Sequence, residues 1–184
     1  MIAAALALGI AAAGVAWGKN TPLPELRAFS PEADTYVSKA RPQRNFGSLE
    51  ALRADSVPQA TVYLRFRIRK LKGSITRVAL LLHAQGKARA IYQVRRVDEN
   101  DWREAGLTYE NAPKLSLRYA SSKPVRRGAW SAVDVTPLVS GGGRVSLAIT
   151  TKSALGVVFA SRESNHGPRL VVRTDAERVE EPEP

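Results

Sequence analysis

The chain has 184 residues, of which 44% are hydrophobic and 24% are charged, a composition typical of a single globular domain. It contains no cysteine, which excludes disulfide bonds, thiol chemistry and zinc–thiolate sites. The formal net charge is +11, and since the last ten residues carry five acidic side chains and one arginine, the remainder carries +15. Such a charge attracts polyanions, whether nucleic acid, acidic polysaccharide or lipid headgroups, without selecting among them.

The N-terminus is a separate segment. Residues 2–17 form an unbroken apolar run, close to the upper length of an export signal and just short of a comfortable membrane span. Residues 1–18 therefore predict a cleaved signal peptide or an uncleaved membrane anchor, with a buried helix as the third interpretation. The first two place the protein outside the cytoplasm, secreted or tethered to the cell surface, with membrane contact only through this segment. Residues 19–32 contain three prolines and predict a linker.

The rest of the chain predicts short strands separated by turn signals. Residues 61–68 are the clearest case, because apolar side chains alternate with Tyr63, Arg65 and Arg67. Further strands are predicted at residues 33–37, 75–84, 87–97, 115–120, 129–135, 144–150, 157–161 and 169–174. With no amphipathic helix among them, residues 33–174 predict an all-β domain, an antiparallel β-sandwich or jelly roll. Residues 175–184 predict an acidic, disordered tail.

Residues 97–113 form the richest local pattern in the sequence. Asp98, Asn100 and Gly106 favour turns, and Trp102 places a large ring among the strands. The segment has no histidine and no nucleophile beside a base. We therefore expect a corner that locks two sheets together rather than a reaction centre.

The polar face of residues 61–68 is the candidate binding surface. Arg65 and Arg67 are two residues apart, about 6.5–7 Å along a strand, which is close to the repeat of a sugar unit. Arginine binds carboxylates through two parallel hydrogen bonds, and Tyr63 could stack on a sugar ring. The alternative is that these cations only decorate a solvated sheet face. The cations expected to extend the surface are Lys39, Arg41, Arg44, Arg77 and Arg95.

Catalytic and metal chemistry has few candidates in this sequence. The histidines are His83, on a strand, and His166, in a turn, and a lyase would need one of them beside a tyrosine and a neutralising arginine. Zinc spacing, a phosphate-binding glycine loop and a nucleophile elbow are absent from the sequence. No catalytic residue is therefore predicted. By analogy with related sandwiches, a structural calcium would take Glu32, Asp34 and Asp175 as oxygen ligands.

Five segments together resemble a known family. In chain order they are ADTYVSKARPQRNFGS (33–48), YLRFRI (63–68), NDWREAGLTYENAP (100–113), WSAVDVT (130–136) and SRESNHGPRLVV (161–172). The chain resembles the DNRLRE domain family, carbohydrate-binding modules first associated with alginate. The resemblance implies a β-sandwich, an extracellular setting, no catalytic activity and binding of acidic polysaccharide. It also implies a role as accessory module to a secreted polysaccharide-degrading enzyme.

The resemblance also implies roles for single residues. Trp102, Tyr109 and Pro113 would be packing and corner residues, and Arg162 with Glu163 would form an internal ion pair. Arg67 departs from the family, which commonly has an acidic residue there, and makes this face more basic.

Other function classes compete with polyuronate binding. The main alternative is a cell-surface structural or assembly protein that contacts acidic envelope polymers. A polysaccharide lyase and a nucleic-acid binder are further alternatives, although the sequence has no groove-reading motif that would bind a specific nucleic acid.

Overall fold

The computed structural model describes residues 24–86 and 89–175. Within these residues the chain forms eleven β-strands and two short 3₁₀ helices, Glu104–Gly106 and Thr136–Leu138, which confirms the all-β prediction. None of the described helices could cross a membrane. The strands are β1 Leu26–Phe29, β2 Pro31–Ser38, β3 Ala51–Ser56, β4 Gln59–Ile68, β5 Ile75–His83, β6 Gln93–Val97, β7 Leu115–Ser121, β8 Trp130–Asp134, β9 Gly143–Thr150, β10 Val157–Ala160 and β11 Arg169–Thr174.

The strands form two antiparallel sheets that pack as a sandwich. The four-stranded sheet has the order β1-β11-β5-β8. The seven-stranded sheet has the order β10-β3-β4-β9-β6-β7, with β2 also paired to β4. Between the sheets lies the main core, to which β4 contributes Leu64 and Phe66, β5 contributes Leu80, and β9 contributes Leu147, all with no exposed surface. Alternation along β4 therefore turns Tyr63, Arg65 and Arg67 away from this core, as predicted.

A second, smaller core lies on the outer face of the seven-stranded sheet. Residues 98–114, here called the covering segment, run between β6 and β7 and bring Trp102 and Leu107 down onto Tyr63 and Ala148. All four side chains are buried. The expectation of a corner that joins two sheets is wrong, because the segment packs on the outer face of one sheet.

The folded domain begins at an earlier residue than predicted. Strand β1 lies inside the predicted linker of residues 19–32, where it pairs with β11 from Leu26 opposite Arg173 to Phe29 opposite Leu170. Strand β3 was not predicted, because Arg53 and Asp55 interrupt its apolar pattern. The strand expected at residues 87–97 is limited to β6. The predicted export segment, residues 1–18, and the tail from residue 176 lie outside the described residues.

Candidate functional site

Tyr63 was expected to stack on a sugar, but it is only 3% exposed. Its ring meets Trp102 edge to face, with centroids 6.1 Å apart, and its hydroxyl donates to the Pro113 carbonyl at 3.0 Å. Burial, with a smaller contribution from Tyr109, raises the pKa of Tyr63 to about 12. The expectation for Tyr63 is wrong because the covering segment occupies the space where a ligand would lie. Pro113 is also buried, and the half-buried Tyr109 donates its hydroxyl to Gln59 Oε1 at 3.1 Å.

Arg65 is also engaged by the covering segment. Its guanidinium lies over the Trp102 ring, 5.0 Å from the centroid. It donates to the carbonyl oxygens of Asn100, at 3.2 Å, and Trp102. Because these contacts use the face and the fork of the guanidinium, Arg65 holds the covering segment on the sheet.

Arg67 belongs to a group of four arginines around one carboxylate, here called the arginine cluster. Strand register places it opposite Arg144 on β9. Guanidinium nitrogens of Arg65, Arg69 and Arg144 lie 3.8, 3.7 and 3.5 Å from a carboxylate oxygen of Glu32, and Arg67 donates to the same carboxylate. The cluster is thus Arg65, Arg67, Arg69 and Arg144, and three of its side chains reach solvent, with exposed fractions of 35% for Arg67, 66% for Arg69 and 42% for Arg144.

The arginine cluster keeps an excess of positive charge. Burial works against ionisation of Glu32, but the Arg67 hydrogen bond and the charges of Arg67, Arg144 and Arg65 hold the pKa of Glu32 below its ordinary value. Glu32 therefore remains charged at neutral pH. Among the residues that the structure describes, Asp101, 3.4 Å from Arg144, is the other acidic partner of the cluster. Four guanidiniums against two carboxylates leave the site able to attract a further anion.

Two recesses adjoin the arginine cluster. An open cleft of about 520 Å³ is lined by Arg69, Lys70 and Leu71 on one side and by residues 139–142 on the other. A smaller recess of about 40 Å³ lies between Arg144, Asn100 and residues 140–142. A ligand carboxylate can therefore reach the exposed guanidiniums from solvent, where the planar fork suits bidentate hydrogen bonding.

Arg69 and Arg144 were not predicted to bind. Arg69 follows Arg67 by two residues and so continues the polar face of β4, which is a signal in the sequence. Arg144 becomes a neighbour of Arg67 only through the pairing of β4 with β9. The local sequence around Arg144 does not indicate which strand it will pair with.

The other predicted cations lie elsewhere. Lys39, Arg41 and Arg44 are exposed in the loop after β2, whereas Glu32 lies at the start of that strand. The six strand steps from Glu32 to Ser38 span about 20 Å at 3.3 Å per residue. These three side chains therefore form a separate basic loop rather than an extension of the arginine cluster.

Arg77 and Arg95 are likewise separate from the arginine cluster. Arg77 lies on β5 in the four-stranded sheet and pairs with Asp134 at 3.2 Å. Arg95 lies on β6, over the ring of Tyr119 at 5.1 Å, and donates to the Ser116 carbonyl at 3.1 Å. Of the eight residues predicted to bind ligand, the structure thus brings only Arg65 and Arg67 together around one carboxylate.

The covering segment is fastened to the rest of the domain through Glu104. Arg162 donates to the two carboxylate oxygens of Glu104 at 3.0 and 2.8 Å, and the backbone N–H of Asp34 donates to Oε1 at 2.8 Å. Asn45 Nδ2 donates to the Glu104 carbonyl at 2.6 Å. A Cβ at Gly47 would lie 2.7 Å from Glu104 Cγ, so the close approach requires glycine.

The predicted pair of Arg162 with Glu163 is present at 3.1 Å, but its side chains are 37% and 41% exposed. The expectation of an internal pair is therefore wrong. The more buried partner of Arg162 is Glu104, whose side chain is 19% exposed.

Replacing Glu104 with glutamine is expected to lower the free energy of unfolding by about 1–3 kcal/mol, because charged hydrogen bonds to Arg162 and Asp34 are weakened. Urea denaturation at pH 7 measures this change. Glu163→Gln is the matched control, and its effect should stay within about 0.5 kcal/mol because an exposed pair contributes little. Equal losses in the two variants would show that Glu104 is not the fastening residue.

The three carboxylates predicted to bind calcium do not converge. Glu32 belongs to the arginine cluster, Asp34 Oδ2 accepts the Arg162 backbone N–H at 2.7 Å, and Asp175 accepts the Ser74 backbone N–H. In residues 24–86 and 89–175 no group of three or more His, Asp or Glu side chains could hold a metal ion. The predicted set is therefore wrong as a common ligand set.

The two histidines lie together. Their rings stack with centroids 4.5 Å apart, on the outer face of the four-stranded sheet. Tyr109 packs on the outer face of the other sheet. The arrangement that a lyase would need, a histidine beside Tyr109 with a neutralising arginine, is not formed by these residues.

Comparison with known proteins identifies one family. The sequence matches the family model described as Carbohydrate-binding module family 96 over residues 25–174. This range begins one residue before β1 and ends with the last residue of β11, so it covers the whole sandwich. No curated protein matches the chain at a significant level.

Proposed function

The chain belongs to carbohydrate-binding module family 96, and we propose that its sandwich binds an acidic polysaccharide of the polyuronate type, without catalysis of its own. Family membership supports carbohydrate binding. The arginine cluster is the observation that favours an acidic polymer, because its guanidiniums outnumber the carboxylates that they contact. The resemblance to the DNRLRE domain favours the same ligand class. That this protein prefers alginate remains a prediction.

The exposed arginines match the chemistry of a uronate polymer. Each sugar of such a polymer carries one carboxylate, so bound sugars present anions at regular spacing. Arg67 and Arg69 are two residues apart, and Arg144 lies opposite Arg67 on the next strand. A ligand carboxylate would bind to these three guanidiniums in the way that Glu32 already does, with the polymer extending into the adjoining cleft.

We expect alginate in a native gel to retard the full chain, and the variant Arg67→Gln with Arg144→Gln to bind about five- to tenfold more weakly, because two guanidiniums of the site are lost. Affinity electrophoresis over a series of alginate concentrations gives the dissociation constants. The matched control is Arg118→Gln with Lys123→Gln, which removes the same charge from exposed positions on β7 and just after it and should change affinity less than twofold. Equal losses in the two double variants would refute a site at the arginine cluster.

Attraction of polyanions in general is the competing explanation for any retardation. It predicts equal binding to duplex DNA and alginate at about 0.3 M salt, since screening removes most of the long-range field. A uronate site predicts that alginate binding outlasts DNA binding at this salt concentration.

The setting of the domain is part of the proposal. On the apolar run of residues 2–17 we place it outside the cytoplasm, secreted or held at the cell surface. There it could act beside a secreted polysaccharide-degrading enzyme. A structural protein that contacts acidic envelope polymers would use the same arginine cluster, and the two roles differ in which polymer is bound most tightly.

A further inference from the structure

Three aromatic rings meet on the outer face of the four-stranded sheet, opposite the face that carries the arginine cluster. His83 at the end of β5 pairs in register with Trp130 at the start of β8, and their ring centroids are 5.3 Å apart. His166, from the turn before β11, stacks on His83 at 4.5 Å and lies 6.2 Å from Trp130. We call His83, Trp130 and His166 the aromatic platform.

The aromatic platform is open to solvent. Trp130 is 42% exposed and His166 is exposed. The next row of the sheet presents the half-buried Leu81 and the exposed Ala132. In the part of the chain that the structure describes, this face thus differs from the other sheet, where the covering segment buries Trp102.

Two polar groups beside the rings lack a hydrogen-bond or ion-pair partner among the described residues. The Nδ1 atom of His83 is buried and has no hydrogen-bond partner among the described residues. Arg169 is exposed and stands opposite Leu81, and Leu81 lies about 6.5–7 Å along β5 from His83. Arg169 makes no ion pair with any residue in the described ranges 24–86 and 89–175.

We infer that the aromatic platform is a second sugar-binding site, on which one ring of the acidic polysaccharide stacks while Arg169 binds its carboxylate. A pyranose ring has one face of C–H groups, which is buried favourably against an indole ring. Its hydroxyl groups can hydrogen-bond to the exposed imidazole of His166. This inference rests on the proposed function and places a separate contact on the opposite sheet.

The test uses the full chain and an alginate tetrasaccharide, with binding measured by titration calorimetry. We expect Trp130→Ala and Arg169→Gln each to weaken binding at this site about tenfold, because each removes one of its two principal contacts. Leu117→Ala, which truncates a side chain that is 91% exposed on β7, is the matched control and should leave binding unchanged. Thermal denaturation establishes that each variant is folded.

A second measurement does not depend on how well Trp130→Ala folds. Saturating tetrasaccharide should change tryptophan fluorescence of the wild-type protein, because Trp130 is exposed and lies at the proposed contact. In Trp130→Phe, which keeps an aromatic ring, calorimetry should still detect binding while the fluorescence change falls to what Trp102 beside the arginine cluster contributes.

The outcomes separate the two proposals. If the wild-type protein binds alginate, but Trp130→Ala and Arg169→Gln bind the tetrasaccharide as tightly as the wild type does, the platform inference is overturned and the proposed function stands. A fluorescence change of undiminished size in Trp130→Phe would also overturn it. If the wild-type protein binds neither alginate nor the tetrasaccharide, the proposed function fails, and the platform inference fails with it.

Discussion

Replacing Trp102 with alanine is expected to lower the free energy of unfolding by about 3–5 kcal/mol, the range for truncating a buried aromatic side chain. Trp102 is 5% exposed and packs with Tyr63, Leu107 and Ala148 in the outer core. Its indole N–H donates to Ser146 Oγ at 3.1 Å, so the substitution also leaves a buried hydroxyl without this partner. Urea denaturation followed by circular dichroism measures the loss.

Trp130→Ala is the matched control for Trp102→Ala, because it removes the same side chain from an exposed position. Its cost should stay below about 1 kcal/mol, since Trp130 is already 42% exposed. Similar losses in the two variants would mean that the covering segment does not depend on Trp102 for its position. The comparison also separates the tryptophan that holds the fold from the tryptophan proposed to bind sugar.

Removal of Trp102 should also disturb the position of Arg65 in the arginine cluster. Arg65 lies over the indole ring and donates to two carbonyl oxygens of the covering segment, and Arg65 and Arg67 approach the same carboxylate of Glu32. When the segment loosens, Arg65 loses these contacts. The covering segment therefore positions one of the four arginines of the proposed binding site.

Strand alternation explains why the fold was predictable. Along β4 the period of two separates Leu64 and Phe66 from Arg65 and Arg67, and the structure keeps that division. The same period cannot tell which outward side chains remain exposed, because that depends on what packs over the sheet. Tyr63 was expected in solvent for this reason, although the covering segment buries it. The turn-rich pattern of that segment indicated its importance but not its location.

The two candidate sites were only partly predictable because they depend on strand register. Arg67 and Arg144 become neighbours when β4 pairs with β9, and His83 meets Trp130 when β5 pairs with β8. Each residue alone is an ordinary strand residue. Strand β1 was missed for a related reason, since a four-residue edge strand between prolines has too little pattern to be recognised and is stabilised by its pairing with β11.

The buried carboxyl of Asp34 should make the stability of the domain fall as pH rises. Asp34 is 1% exposed, and its Oδ1 has no hydrogen-bond partner among the described residues. Burial is the main cause that raises the pKa of Asp34 to about 7, and the nearby charges of Glu104 and Glu163 act in the same direction. The backbone N–H and the charge of Arg162 oppose this rise without cancelling it.

The direction of this pH dependence follows from the number of protons bound in the folded and unfolded states. An unfolded chain loses the Asp34 proton near pH 4, whereas the native protein keeps it until about pH 7, so between these values the native state binds more protons. The stabilisation from the neutral carboxyl is complete below about pH 4 and is lost as the pH rises through the native pKa. A difference of about three pKa units corresponds to roughly 4 kcal/mol as an upper bound.

Asp34→Asn removes this titration while keeping an oxygen that can accept the Arg162 N–H. We expect the free energy of unfolding of the variant, minus that of the wild type, to become more positive by about 2–4 kcal/mol between pH 4 and pH 8. Urea denaturation at several pH values gives this difference, in which the titrations shared by the two proteins cancel. Parallel pH profiles for the two proteins would show that Asp34 is ionised normally in the folded state.

Asp55→Asn is the matched control, because this carboxyl titrates in the opposite sense. Burial works against ionisation of Asp55, but hydrogen bonds from Arg53 and from the Val57 backbone lower its pKa below the ordinary value. Its contribution to stability is therefore present at neutral pH and is lost as the pH falls through its native pKa. The free energy of unfolding of Asp55→Asn, minus that of the wild type, should therefore change mainly below about pH 4 and stay nearly constant between about pH 5 and pH 8. A pH-dependent difference between about pH 5 and pH 8 that is seen in Asp34→Asn and not in Asp55→Asn would assign the effect to Asp34, because a general change in net charge affects both variants alike.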